Sequence, residues 1–137
     1  MSKDMNIKDI AIGMKASNVH LITDEKIRAF AAISEDYNPI HLDQEYAEKS
    51  QFGKRLAHGA LVSSFFSTLF AMKLPGAGSI YVSQSTRFKK PVFIDDEVLA
   101  EIEVVDIDVD RKRVYFSTHC YVNQVRVLSG EAEIYLP

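Results

Sequence analysis

A chain of 137 residues, 47% hydrophobic and 26% charged, suffices for one domain with a modest core. A net charge of −3 and the lack of any long basic stripe argue against nucleic acid as the main partner. The most apolar stretch, Ala60 to Leu74, is broken by Ser63, Ser64, Ser67 and Thr68 and is too short and too polar for a membrane span. The N-terminal residues lead into no signal-peptide core, and a lone Cys120 rules out an internal disulfide, so the cytoplasm is the expected compartment. No CxxC, HExxH, P-loop or GxGxxG spacing occurs, and no metal or cofactor is expected.

Taken in order, residues Met1 to Lys15 form a weak leader in which Ile7, Ile10 and Ile12 are free to dock. Val19 to Ile22 predicts a first short strand. Thr23 or Asp24 caps a helix whose apolar positions Ile27, Phe30, Ala31 and Ile33 follow helical spacing. Next comes the stretch Asp36-Tyr37-Asn38-Pro39-Ile40-His41-Leu42-Asp43. Pro39 fixes its own φ and biases Asn38 away from the helical region, so the preceding helix must stop near Glu35 or Asp36. The chain then turns, which lets Asp36 and His41 converge on one small volume. A carboxylate and an imidazole within reach of one water are the minimum equipment for general acid–base chemistry. The plainer account is turn chemistry, with Asp43 as the N-cap of a short helix through Tyr46 and Ala47 to about Lys49.

Ser50 to Ala57 connects to His58-Gly59 and to the most hydrophobic helix, Ala60 to Lys73, about 20 Å long at 1.5 Å per residue. It is apolar nearly all round and is expected at the centre of the fold. Pro75-Gly76-Ala77-Gly78 ends it. Everything after reads as strand: Ser79 to Phe88, an interruption at Lys89-Lys90-Pro91, then Glu97 to Asp108, Arg113 to Val122 and Val125 to Leu136. A twisted antiparallel sheet curling round one long helix supplies the walls that helix needs. The expected fold is therefore α+β, of the hot-dog type, with all 137 residues in one domain; a ferredoxin-like or cystatin-like sandwich is the alternative. An open outer sheet face would favour back-to-back homodimers.

The run from Phe30 to Asp43 resembles the signature of the (R)-specific enoyl-CoA hydratases, of the MaoC-like dehydratase family. The resemblance continues through Ala57-His58-Gly59, Gly78-Ser79-Ile80-Tyr81, Phe88-Lys89-Lys90-Pro91-Val92 and Asp96-Glu97-Val98. It covers about residue 10 to the end. Glu35 is a departure, standing where the family usually has glycine. The resemblance implies a hot-dog fold and reversible syn addition of water to a trans-2-enoyl-CoA, giving the (R)-3-hydroxyacyl-CoA. It further implies that Asp36 and His41 hold the same water, Asp36 taking its proton and His41 delivering one at C2.

Asn38 is then a water-orienting amide or a turn cap, or both. Gly59, at the start of a buried helix, offers a backbone N–H to the thioester oxygen as charge builds there, with the helix dipole adding to it; the alternative is a simple helix-entry glycine. His58 is expected to support the site without carrying a proton. Ser63, Ser67 and Phe70 follow one helix face. Ser67 is a candidate site hydroxyl, against a back-bond to the helix, and Phe70 a candidate floor that favours short acyl chains. Lys54, Arg55, Arg87, Lys89 and Lys90 are the cations available to CoA phosphates. The alternatives are a 3-hydroxyacyl-[acyl-carrier-protein] dehydratase, a hot-dog thioesterase and a catalytically silent acyl-thioester binding domain.

Overall fold

The computed structural model describes residues 5–137, and the first four residues of the expected leader lie outside them. The rest of that leader holds a short 3-10 turn, Ile7–Asp9, capped by Asn6. Ile7 and Ile10 dock into the core, but Ile12 stays exposed. Five strands follow, β1 (Lys15–Leu21), β2 (Ile80–Phe88), β3 (Glu97–Asp108), β4 (Arg113–Val122) and β5 (Val125–Tyr135), with helices α1 (Asp24–Ser34), α2 (Pro39–Leu42), α3 (Gln44–Glu48) and α4 (Gly59–Met72). The strands make one antiparallel sheet in the order β1-β3-β4-β5-β2.

β1 begins at Lys15, four residues before the expected Val19. Its polar sequence gives little alternation, and the strand exists because β3 offers it a ladder from Lys15↔Glu103 to Leu21↔Glu97. On the inner face Val98, Ala100, Ile102, Val104, Val114, Phe116 and Cys120 meet Leu61, Val62, Phe65, Phe66, Leu69 and Phe70 of α4 in one continuous core. This is the hot-dog arrangement implied by the order of elements.

Two expectations about helices need correction. Ile33 is not part of the α1 core face: it is 83% exposed, whereas Ile27 and Ala31 are buried. The central helix is not enclosed on all sides either. Ala60, Ser64, Ser67, Thr68, Ala71 and Met72 leave one flank of α4 open, because a single curved sheet wraps only the other side. Beside that flank, β2 is an edge strand whose Ile80, Tyr81 and Val82 are all exposed. An unpaired apolar edge of this length calls for a partner.

Candidate active site

Three short segments are folded against the start of α4. α1 ends at Ser34, and Glu35 turns the chain with φ 63°, in the left-handed region. That backbone is native to glycine and explains why a side chain there is a departure. The Glu35 side chain points to solvent. Asn38 then caps α2, its carbonyl oxygen Oδ1 accepting from the Ile40 N–H at 3.2 Å, with Pro39 at the first helical position. The loop thus contains a helical turn of its own. The capping role expected of Asn38 is present here.

His41 is 9% exposed and lines a cavity of about 570 Å³ together with Gly59, Ala60, Phe88, Lys89 and Lys90. Its Nδ1 lies 2.7 Å from the Leu56 carbonyl oxygen. A carbonyl can only accept, so Nδ1 carries the proton and the Nε2 lone pair is left free. Burial is the main cause holding the His41 pKa below its ordinary 6.5, with His58 adding to the effect; the bond to Leu56 and the Asp36 carboxylate oppose it. Leu56 is itself anchored. Its N–H donates to the Ile40 carbonyl, and it bridges to Phe93.

Asp36 lies on the exposed side. One carboxylate oxygen accepts from the Asn38 N–H at 3.1 Å. Asp36, His41 and His58 each bring one carboxylate or imidazole atom within 4.8 Å of the others. A water bridging two acceptors spans up to about 5.6 Å, twice a usual hydrogen-bond length. The spacing therefore suits one shared water. It suits a metal ion less well, because the His41 and His58 rings are stacked at 3.9 Å with 26° between their planes. In-plane lone pairs of stacked rings run side by side and do not meet at one ion.

His58 is the N-cap of α4 but makes no side-chain cap, so the first amides of the helix are left free at the cavity. Gly59 and Ala60 both line that cavity. An added Cβ on Gly59 would stand 2.9 Å from the Phe88 ring, so glycine is needed for the close approach of ring and helix. Sequence reasoning missed Phe88 because its contact with Gly59 links the end of β2 to the start of α4.

Other expected residues fall elsewhere. Ser67 is exposed on the open flank of α4, and Phe70 is buried in the core between Phe116 and Tyr81; neither lines the cavity that holds His41 and Gly59. Ser63 accepts from Gln84 Nε2 at 3.0 Å. Arg55 is not free for phosphate. It is buried, with Nε donating to the His41 carbonyl at 2.7 Å and a second nitrogen to Asp24 at 2.6 Å. This clamp fixes the end of α2, and Arg55 with Arg28 holds the Asp24 carboxyl below its usual range. Lys89 and Lys90 do stand at the cavity, with both backbone amides bonded to the Val127 carbonyl. Lys54 lies 5.1 Å over the Phe93 ring.

Comparison with known proteins gives a consistent set of matches. Residues 8–128 match the MaoC-like domain. The chain is 40% identical over 134 residues to the (R)-specific enoyl-CoA hydratase of Aeromonas caviae, covering 97% of this chain and 100% of that one. It is 39% identical over 132 residues to the mitochondrial 3-hydroxyacyl-[acyl-carrier-protein] dehydratase of Arabidopsis thaliana, covering 93% and 78% respectively. The solved structure of the (R)-hydratase from A. caviae superposes with a TM-score of 0.93 at 40% identity, over 95% of this chain and 99% of that one.

Proposed function

The chain belongs to the MaoC-like domain family, and from that premise we propose that it is an (R)-specific enoyl-CoA hydratase, a hydro-lyase that reversibly hydrates trans-2-enoyl-CoA to (R)-3-hydroxyacyl-CoA. The observation that carries the reading is the convergence of Asp36 and His41 beside the uncapped start of α4. Asp36 and His41 hold one water, whose oxygen attacks C3. The N–H of Gly59 receives the charge that builds on the thioester oxygen.

The neutral His41 ring bears on the order of proton steps. With its Nδ1 proton given to Leu56, Nε2 has none to deliver until it has received one. The reading that fits is that His41 takes a proton from the water and returns it to C2, with the Asp36 carboxylate orienting the water and balancing the imidazolium. Asn38 acts through the turn it caps. Lys89 and Lys90 meet the phosphates at the cavity mouth. Ser67 and Phe70 do not line the cavity that holds His41 and Gly59, so neither is assigned to the acyl slot. Phe70→Ala is accordingly expected to leave the preference between C4 and C8 enoyl-CoA unchanged, and a shift towards C8 would return Phe70 to the slot.

We read all 137 residues as one such domain, acting in the cytoplasm as a homodimer. Among the described residues no helix is long and apolar enough to cross a membrane. The outer sheet face carries the ion pairs Lys15–Glu103 and Arg113–Glu133, whereas the β2 edge and the open flank of α4 are unpartnered. Edge-to-edge pairing through β2 therefore fits better than back-to-back packing. Sedimentation or light scattering is expected to give twice the 15.5 kDa chain mass; a monomer at micromolar concentration would remove this assignment.

The deciding assay is loss of enoyl-thioester absorbance with crotonyl-CoA, followed by chiral analysis of the product. Turnover to the (R) isomer supports the proposal. Inertness toward crotonyl-, hexenoyl- and octenoyl-CoA ends it. A carrier-protein dehydratase is the second reading, favoured by the 39% identity to the plant enzyme of that name, and faster turnover of crotonyl-[acyl-carrier-protein] than of crotonyl-CoA would establish it.

A further inference from the structure

His58 is 2% exposed and touches both members of the pair described above. Its Nε2 lies 3.1 Å from the backbone carbonyl oxygen of Asp36 and so carries the proton. One face of its ring stacks on His41 at 3.9 Å, and Phe30 leans against it at 4.9 Å. Its Nδ1 is buried and has no hydrogen-bond partner. An unpaired polar atom in a core costs about 1–3 kcal/mol. A residue that only filled this space would be apolar, and a buried group left unpaired in this way calls for an explanation.

We propose that His58 is a positioning residue for the hydration reaction, holding the Asp36 main chain through Nε2–H and the His41 ring through its face, so that acid and imidazole keep one fixed separation. This rests on the assignment of Asp36 and His41 above. Asp36 follows the left-handed Glu35; its N–H donates to Ser34 Oγ and its carboxylate accepts from the Asn38 N–H, both within the loop, and His58 adds the restraint from α4 at its carbonyl. His41 is held from three sides, by the Leu56 carbonyl at Nδ1, by Arg55 at its own carbonyl and by the His58 ring. The charged and titratable groups around it are Asp36 in the loop, His58 at the start of α4, Arg55 paired to Asp24 of α1, and Lys89 and Lys90 across the cavity.

His58 also disfavours the imidazolium form of His41. Protonated His41 has no lone pair at Nε2, so activity is lost as pH falls through its pKa. With that pKa held below 6.5 the acid limb lies below pH 6.5.

His58→Gln keeps an N–H near the position of Nε2 and removes the ring, while His58→Phe keeps the stack and removes the bond. Each is expected to lower kcat on crotonyl-CoA by about 10–100-fold with KM changed less than about threefold, the split of an interaction that matters in the transition state. In His58→Gln the acid limb of kcat/KM moves up toward 6.5. NMR titration of the His41 ring, assigned with a His41→Asn variant, should follow the same shift without any turnover. Folded variants with normal kcat overturn the proposal. So does a lowered kcat with the limb and the His41 titration both unmoved, since lost packing alone would explain it. If His58→Phe fails to fold, His58→Gln decides. An inert wild type defeats the hydratase reading instead, and the NMR shift still tests whether His58 acts on His41.

Discussion

Asp36→Asn and His41→Asn are each expected to slow crotonyl-CoA hydration by about 10²–10⁴-fold with the fold intact. The Asn at position 36 keeps an oxygen for the Asn38 N–H, so the turn survives while the carboxylate charge is lost. The Asn at position 41 places an N–H where Nδ1 stood, so the bond to Leu56 can persist while the Nε2 acceptor is gone. A loss of that size is roughly 3–5 kcal/mol of transition-state stabilisation. Because the two groups act on one water, the double variant should be little worse than the poorer single variant. Steady-state rates, with thermal melts as a control for folding, check this. A loss below about fivefold in either folded variant would remove that residue from the chemistry, and additive losses would argue for two separate waters.

Gly130→Ala should be the most destabilising single-atom-scale change in the sheet. Gly130 of β5 pairs with Thr86 of β2 on one side and Thr118 of β4 on the other. An added Cβ would stand 1.9 Å from the Ser85 carbonyl oxygen and 3.1 Å from the Thr86 Cα. These are backbone atoms and cannot rotate away, so β2 must separate from β5. The expected cost is about 3 kcal/mol, the upper part of the overpacking range, which lowers Tm by roughly 10 °C for a chain of this size. If β2 is the pairing edge, dimer dissociation should accompany the loss. A Tm within about 2 °C of wild type would mean that the edge strand slides freely, and would weaken its assignment as a pairing surface.

Much of this protein was legible residue by residue. Pro39 and Asp43 carry their turn and cap chemistry in their own side chains, so the end of α1 and the start of α3 could be placed within a few residues, whereas the helical turn α2 that starts at Pro39 reads as loop. The alternation of Val98, Ala100, Ile102 and Val104 with Glu101 and Glu103 marks a half-buried strand by a period the backbone imposes. Asp36 and His41 could be nominated because few residue types do acid–base work, but it was the resemblance to a known family that set them above plain turn chemistry and brought in Gly59. Partnership could not be nominated in the same way. Arg55 looks like a free surface cation in sequence, yet it is buried against Asp24, 31 positions away. Ile33 fits the helical period of α1 and still faces solvent, because α1 turns the side that carries Ile27 and Ala31 inward. Phe88 over Gly59, Leu56 under His41 and His58 beside both Asp36 and His41 are contacts between distant segments. Local propensity and periodicity act over a few residues along the chain. Which surfaces meet, and so which polar atoms find a partner or go without one, is decided only when the curved sheet closes on α4 and water is excluded between them.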